Sequence, residues 1–250
     1  MLAAARAGLG IRRAPWLTAV VIVVTVIPSC LQFAVPGMLT TLERTPAGLG
    51  AQWWRSVTAL LVQDGGVPGT ISNLVFLALI GVIAEQVMSR PRWLVLYLGA
   101  GLAGEFAAYA WQPVGAGNSV AICGLAGGLA VLMVRGDLRL PAATPYVQLL
   151  WAGALVATVS AIPAVLIFVG TAPALSIQHA RRLPATRIAG AAVLACGAAL
   201  AAVQNIHGAA LLAGMLIGAV IVTQKGRRRG HGIHLRPGVR APDRGGTRAV

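Results

Sequence analysis

Residues 70–111 read TISNLVFLALIGVIAEQVMSRPRWLVLYLGAGLAGEFAAYAW. Two apolar runs, Thr70 to Met88 and Trp93 to Trp111, flank one tight basic turn, Ser89-Arg90-Pro91-Arg92. A run of about 20 apolar residues suffices to cross a hydrocarbon core of about 30 Å as a helix. Proline and arginine between two such runs mark a turn at a membrane surface, where the helix stops and cations are tolerated. The stretch therefore reads as a transmembrane hairpin, and the rest of the chain is read outward from it.

Toward the N-terminus, residues 36–69 form a mixed loop with Glu43, Arg44, Trp53, Trp54, Arg55 and Asp64. Its two tryptophans suit a membrane interface. Residues 16–35 are apolar and uncharged, a first span preceded by Arg6, Arg12 and Arg13. With no clear small-residue cleavage site, this span reads as an anchor rather than a signal peptide. Toward the C-terminus, Gln112 to Gly117 is a short uncharged turn, and a fourth span runs from near Asn118 to just before Arg135. Residues 188–203 and 206–223 form the last two spans. The chain thus divides into a basic N-terminus (1–15), a transmembrane domain (16–223) with an extra apolar insertion (146–177), and a basic tail (224–250) expected to be disordered.

Composition agrees. Of 250 residues, 57% are hydrophobic and 10% charged, against about 25% charged in soluble domains. Mean hydropathy is +0.79. These values exclude a soluble globular enzyme, a disordered protein and a disulfide scaffold. Cys30, Cys123 and Cys196 all lie in apolar runs and read as small hydrophobes, not as a metal site. The net charge of +14 reads as topology, not as nucleic-acid binding. With the N-terminus inside, only Arg44 and Arg55 of the 20 cationic side chains fall outside, a positive-inside pattern that puts both termini in the cytoplasm. The basic tail then touches anionic lipid. The Arg-over-Lys, Gly-rich composition suggests a bacterium, and hence its plasma membrane.

Under this topology both ends of residues 146–177 are inside, so the insertion must enter and return. Half of its 32 residues reaches about 24 Å as a helix, less than a full crossing. It is a thin hairpin turning near Pro163, a re-entrant or surface-lying pair, or a single span that would leave Arg181, Arg182 and Arg187 outside.

Polar groups inside the hydrocarbon region are costly and often functional. Here they are Asn73, Glu85, Glu105, Ser119 and His207. Ser119 opens the fourth span and His207 the last, so both helix starts lie toward the outside at similar depth. A serine beside a histidine is the minimum for nucleophilic acyl transfer. Gly124-x3-Gly128 follows the serine and Gly214-x3-Gly218 the histidine, and such small-x3-small faces let two helices touch. Taken alone, each feature is equally met by packed polar residues in a Gly-rich bundle. Glu85 is placed to cap or pair near Arg90 or Arg92, and Glu105 to pair with a neighbouring helix or line a transport path.

Several segments, in order, resemble the rhomboid family of intramembrane serine proteases. Trp54-Arg55-Ser56-Val57-Thr58 resembles the Trp-Arg-x-x-Thr element of the first outer loop. Asn73 falls where the second helix carries the Asn of His-x-x-x-Asn, with Glu85 near that helix's end. Arg92-Trp93-Leu94-Val95-Leu96-Tyr97-Leu98 resembles the start of the third helix. Gly117-Asn118-Ser119-Val120-Ala121-Ile122-Cys123-Gly124-Leu125 resembles the nucleophile segment Gly-x-Ser-Gly-Ala-x-x-Gly-Leu. His207-Gly208-Ala209-Ala210-Leu211-Leu212-Ala213-Gly214 resembles the segment His-x-Gly-Gly-Leu-x-Ala-Gly.

The resemblance implies a six-helix bundle, here with the extra insertion. It implies an endopeptidase that cuts transmembrane segments near the outer leaflet with a Ser119–His207 dyad. Asn73 and the Ser119 N–H would hold the oxyanion, with no metal or cofactor; the partners are the bilayer and other proteins' transmembrane segments. Three departures matter. Val120 replaces the glycine after the nucleophile and is expected to narrow the site. The His of His-x-x-x-Asn falls on Gly69, and an earlier loop His falls near Gln63, so a donor to the oxyanion is missing. Ser119 and His207 are 88 positions apart (207 − 119), and the interval holds the family's usual single helix (188–203) plus the 146–177 insertion. These losses keep a second function open, a catalytically inactive rhomboid-like protein that binds transmembrane helices.

Overall fold

The computed structural model describes residues 12–137, 139–160 and 182–230. Among them the regular elements are helices: α1 (Trp16–Leu31), the short α2 (Met38–Leu42) and α3 (Arg55–Thr58), α4 (Gly66–Val87), α5 (Arg90–Trp111), α6 (Ser119–Val134), α7 (Thr144–Ala157), α8 (Arg182–Ala202) and α9 (Ile206–Gly230). A π turn over Val95–Gly99 interrupts α5. Helices α4, α5 and Ala185–Ala202 of α8 are long and apolar enough to cross a membrane. Trp16–Leu31, Ser119–Val134, Thr144–Ala157 and Ile206–Ile221 are apolar but shorter.

The helix faces are inverted relative to a soluble bundle. On α1 the buried residues are Thr18, Thr25 and Ser29, while Val20, Val23, Val24 and Ile27 are more than half exposed. Ile71, Phe106 and Leu216 likewise point outward. In water such surfaces would associate; in lipid they are the solvated face, and polar side chains turn inward to find partners. The chain is an all-α polytopic membrane protein.

The hairpin read from residues 70–111 is present. Helix α4 stops at Val87, and α5 starts at Arg90 with Pro91 in its first turn, where a missing N–H leaves no bond unmade. Glu85 sits just inside this turn and is 5% exposed. Its carboxylate accepts from Leu17 N (3.1 Å), Thr18 N (2.9 Å) and Thr18 Oγ1 (2.9 Å), with Arg90 Nε at 3.6 Å. One helix thus caps the N-terminus of another, satisfying orphan donors of α1. Glu85→Ala is expected to cost about 2–3 kcal/mol, since bonds to a charged acceptor are lost and donors are left unpaired. Thermal denaturation of the purified protein, wild type against variant, measures it.

Helix α6 is the axis of the bundle. Val120 through Ala130 are buried without a break, as expected of a helix surrounded on all sides. Against it lies α9, and the two small-x3-small faces meet. A Cβ built on Gly214 would lie 2.7 Å from Gly124 Cα, and one on Gly218 would lie 2.9 Å from Gly128 Cα. The backbones touch, so any larger residue would push the two helices apart.

Within the insertion, α7 packs on three neighbours. Trp151 lies against Phe76 of α4 (ring centroids 4.7 Å), Gln148 Nε2 donates to Ala126 O of α6 (3.2 Å), and Cys196 Sγ of α8 approaches Ala152 O (3.8 Å). At the end of α6, a Cβ on Gly136 would lie 3.0 Å from Arg187 Nη2 near the start of α8. The end of α6 and the first turns of α8 therefore lie at the same end of the bundle. Residues 161–181, which include the rest of the insertion, lie outside the described residues, as do 1–11, 138 and 231–250. The backbone of α9 is helical to Gly230, beyond residue 223 where the last span was expected to stop.

Candidate functional site

Sixteen residues make α6 about 24 Å long, shorter than a core of about 30 Å. With its other end at the Arg135 turn, its first residue, Ser119, is recessed below the opposite surface. The irregular backbone before it, 112–118, lies at a depth where unpaired polar groups are costly and must be satisfied by protein. The 36–69 loop supplies the partners. Arg44 N donates to Gly115 O (2.9 Å) and Gly115 N to Arg44 O (3.2 Å). Ala116 N donates to Asp64 Oδ2 (2.9 Å), Gly117 N to Ala59 O (2.9 Å), and Arg44 Nη2 to Gln112 O (2.8 Å).

Arg44 is itself 1% exposed and pairs with the equally buried Glu105 of α5, Nη1 to Oε2 at 2.5 Å. Glu105 is thereby engaged as a structural counter-ion, which removes the one hint of a transport path. The Trp-Arg-x-x-Thr element has a similar role. Arg55 Nη1 donates to Thr40 O (2.9 Å) and Glu43 O (2.8 Å), and Thr58 Oγ1 to Leu42 O (2.7 Å). Arg44 and Arg55, the two exceptions to the positive-inside count, both hold loop carbonyls.

On this scaffold His207 Nε2 lies 2.9 Å from Ser119 Oγ. The backbone contact of α6 and α9 at Gly124 and Gly214 sets the spacing of their first turns, and thus of these two side chains. Gly117 has φ +148, a conformation that favours glycine. A Cβ there would lie 3.4 Å from Ser119 Oγ, 3.5 Å from Asn73 Nδ2 and 3.3 Å from Gln63 Oε1. The absent side chain leaves room for a small polar group beside the hydroxyl, the Asn73 amide and the free N–H groups of the first turn of α6. Within that helix the backbone bonds begin at Ile122 N, which donates to Asn118 O (3.0 Å), so the preceding amides are open.

Asn73 lies beside Ser119 and His207: a Cβ on Gly117 would sit 3.5 Å from Asn73 Nδ2 and 3.4 Å from Ser119 Oγ, which faces His207 Nε2. Two further residues complete the cluster. Gln63, 1% exposed, accepts from Asn73 Nδ2 (2.7 Å) and donates to Asn118 Oδ1 (3.1 Å), while Gln32 brackets its backbone N and O, each at 2.8 Å. Asn205, 5% exposed, directs Oδ1 at His207 N (2.9 Å) and Nδ1 (2.8 Å). Sequence reading passed over Asn205 although an Asn just before a helix start is a capping signal. The expectation for Val120 is corrected: its side chain is 1% exposed and packs toward α5, where a Cβ on Gly104 would lie 3.2 Å from Val120 Cβ. Gly104 takes up the extra volume, so the site is not narrowed from this position. At Gly69 a Cβ would meet nothing within 4 Å, so the position faces open space.

The sequence profile of the rhomboid domain matches residues 50–228. Among curated proteins, the chain is 33% identical over 79 residues to "Rhomboid protease GluP" of Bacillus subtilis (strain 168), covering 31% of this chain and 15% of that protein. It is 32% identical over 79 residues to "Putative rhomboid protease YdcA" of the same organism, covering 30% of this chain and 39% of that one. The matched stretch is thus less than half the length of either relative. No solved structure gives a significant match.

Proposed function

The chain belongs to the rhomboid family, and from that premise we propose that it is an intramembrane serine endopeptidase cleaving transmembrane segments near the outer leaflet. The observation that carries the proposal is the 2.9 Å contact of His207 Nε2 with Ser119 Oγ at two recessed helix tips. Ser119 Oγ attacks the scissile carbonyl carbon and gives its proton to His207 Nε2. The oxyanion so formed occupies the space left by Gly117, facing Asn73 Nδ2 and the Ser119 N–H. Collapse breaks the C–N bond as His207 returns the proton to the leaving amine. Water then attacks the acyl-enzyme, passing its proton through His207 to Ser119 Oγ, and the carboxylic acid leaves. Fitting substrates are single-span proteins whose helices are locally unstable and rich in small residues at that depth.

The positive-inside count supports cytoplasmic termini in a bacterial plasma membrane, which puts Ser119 toward the outside. A second reading is favoured by one observation, the empty position at Gly69. A rhomboid relative lacking an oxyanion donor would bind transmembrane helices without cutting them. Fluorophosphonate labelling of the detergent-purified protein separates the two. Serine-dependent labelling together with cleavage of a membrane substrate supports the protease; absence of both supports the binder.

Gln63 tests the arrangement around Asn73. Gln63→Ala removes the acceptor that aims the Asn73 amide. It is expected to slow labelling about tenfold, less than loss of a direct oxyanion donor. An unchanged rate in a variant that melts like wild type would remove Asn73 from the oxyanion site.

A further inference from the structure

We infer that Asn205 is a positioning residue that converts the Ser119–His207 pair into a three-membered relay; this rests on the protease reading above. The chain enters α9 through a tight turn. Asn205 N donates to Leu200 O (2.9 Å) and Gln204 N to Ala201 O (3.0 Å), while Gln204 takes φ 57. This is a helix-ending motif that ordinarily uses glycine at the left-handed position. A glutamine held there is backbone strain of the kind that collects at functional sites. It places Asn205 as the residue just before α9, with its side chain folded back over the first turn.

The hydrogen bonds then fix the chemistry. The His207 backbone N–H can only donate, so the atom 2.9 Å from it is the Asn205 carboxamide oxygen and not the nitrogen. That same oxygen lies 2.8 Å from His207 Nδ1. An oxygen acceptor requires Nδ1 to carry the proton. In the neutral ring Nε2 is then unprotonated, and Nε2 is the atom facing Ser119 Oγ at 2.9 Å. The side chain of Asn205 thus selects the tautomer able to receive the serine proton, the orienting role that a third group fills in triads. Being neutral, it orients the ring without adding the charge stabilisation of a carboxylate.

Three variants separate orientation from helix capping. Asn205→Ser retains a capping oxygen of similar strength on a side chain too short to reach Nδ1 as well. Asn205→Asp retains both contacts, and Asn205→Ala loses both. Asn205→Ser is expected to melt like wild type yet label with fluorophosphonate about tenfold more slowly, whereas Asn205→Asp labels at least as fast as wild type. The tautomer is read independently of activity by nitrogen-15 NMR on histidine-labelled protein, with His207 assigned from the spectrum of His207→Ala. Wild type should show the Nδ1–H form, and Asn205→Ser a shift toward Nε2–H. An Nε2–H tautomer in wild type, or unchanged spectrum and labelling in Asn205→Ser, overturns the inference. If wild type neither labels nor cleaves, the protease reading fails by itself, and the NMR result still decides the role of Asn205.

Discussion

Ser119→Ala is expected to abolish fluorophosphonate labelling and to lower peptide-bond cleavage by roughly 10⁴-fold or more, as removal of a nucleophile does in serine hydrolases. His207→Ala should fall nearly as far, because an unassisted hydroxyl is a weak nucleophile near neutral pH. The double variant should be no worse than either single one, since two groups that act in one proton transfer do not contribute additively. This non-additivity is the sharper measurement. A histidine that merely packed beside the serine would leave most of the serine-dependent rate intact when replaced by alanine. Folding is controlled by the melting temperature: Ser119 and His207 are only partly buried, and neither change opens a large core cavity, so both variants should melt near wild type. Full labelling of Ser119→Ala would place the reactive serine elsewhere and end the proposal.

The reason such effects are expected at all lies in helix length. A 16-residue α6 falls short of a core of about 30 Å, so Ser119 is recessed and the loop before it needs internal partners. Arg44, Ala59 and Asp64 supply them. Much of this was legible in the chain. Apolar runs and arginine positions gave the spans, and the two small-x3-small faces named the helices that touch. The serine and histidine stood out because polar groups opening apolar runs are rare. What escaped has a common cause. Arg44–Glu105 joins positions 61 apart, and Gln63–Asn118 positions 55 apart. Such pairs depend on how a loop folds over helix ends, which no periodicity records. Val120 misled for a related reason. Its neighbour in space, Gly104, lies on another helix, so a substitution that reads as crowding in one segment is offset in a second. Asn205 was readable as a cap, but its second contact follows from a turn strained at Gln204, not from composition.

Gly69→His is expected to raise kcat/KM by about 10²-fold, the effect of adding one well-placed donor worth roughly 2.7–4 kcal/mol to a forming oxyanion, discounted for imperfect placement. Position 69 is four residues before Asn73 on α4, so both side chains lie on one face, a turn apart. A side chain there meets no neighbour within 4 Å of its Cβ, and glycine is a poor helix residue, so histidine should leave stability equal or higher. The gain should appear mainly in kcat, because an oxyanion exists only after attack has begun. Gly69→Phe separates charge stabilisation from bulk: it fills the same space without a donor and should bring no gain. Asn73→Ala combined with Gly69→His should lose part of the improvement, since both amide and imidazole would face one oxygen. A different result is equally informative. If Gly69→His and Gly69→Phe both raise KM and leave kcat unchanged, the open volume seats a substrate side chain. The oxyanion would then be held by Asn73 and the first-turn amides of α6 alone.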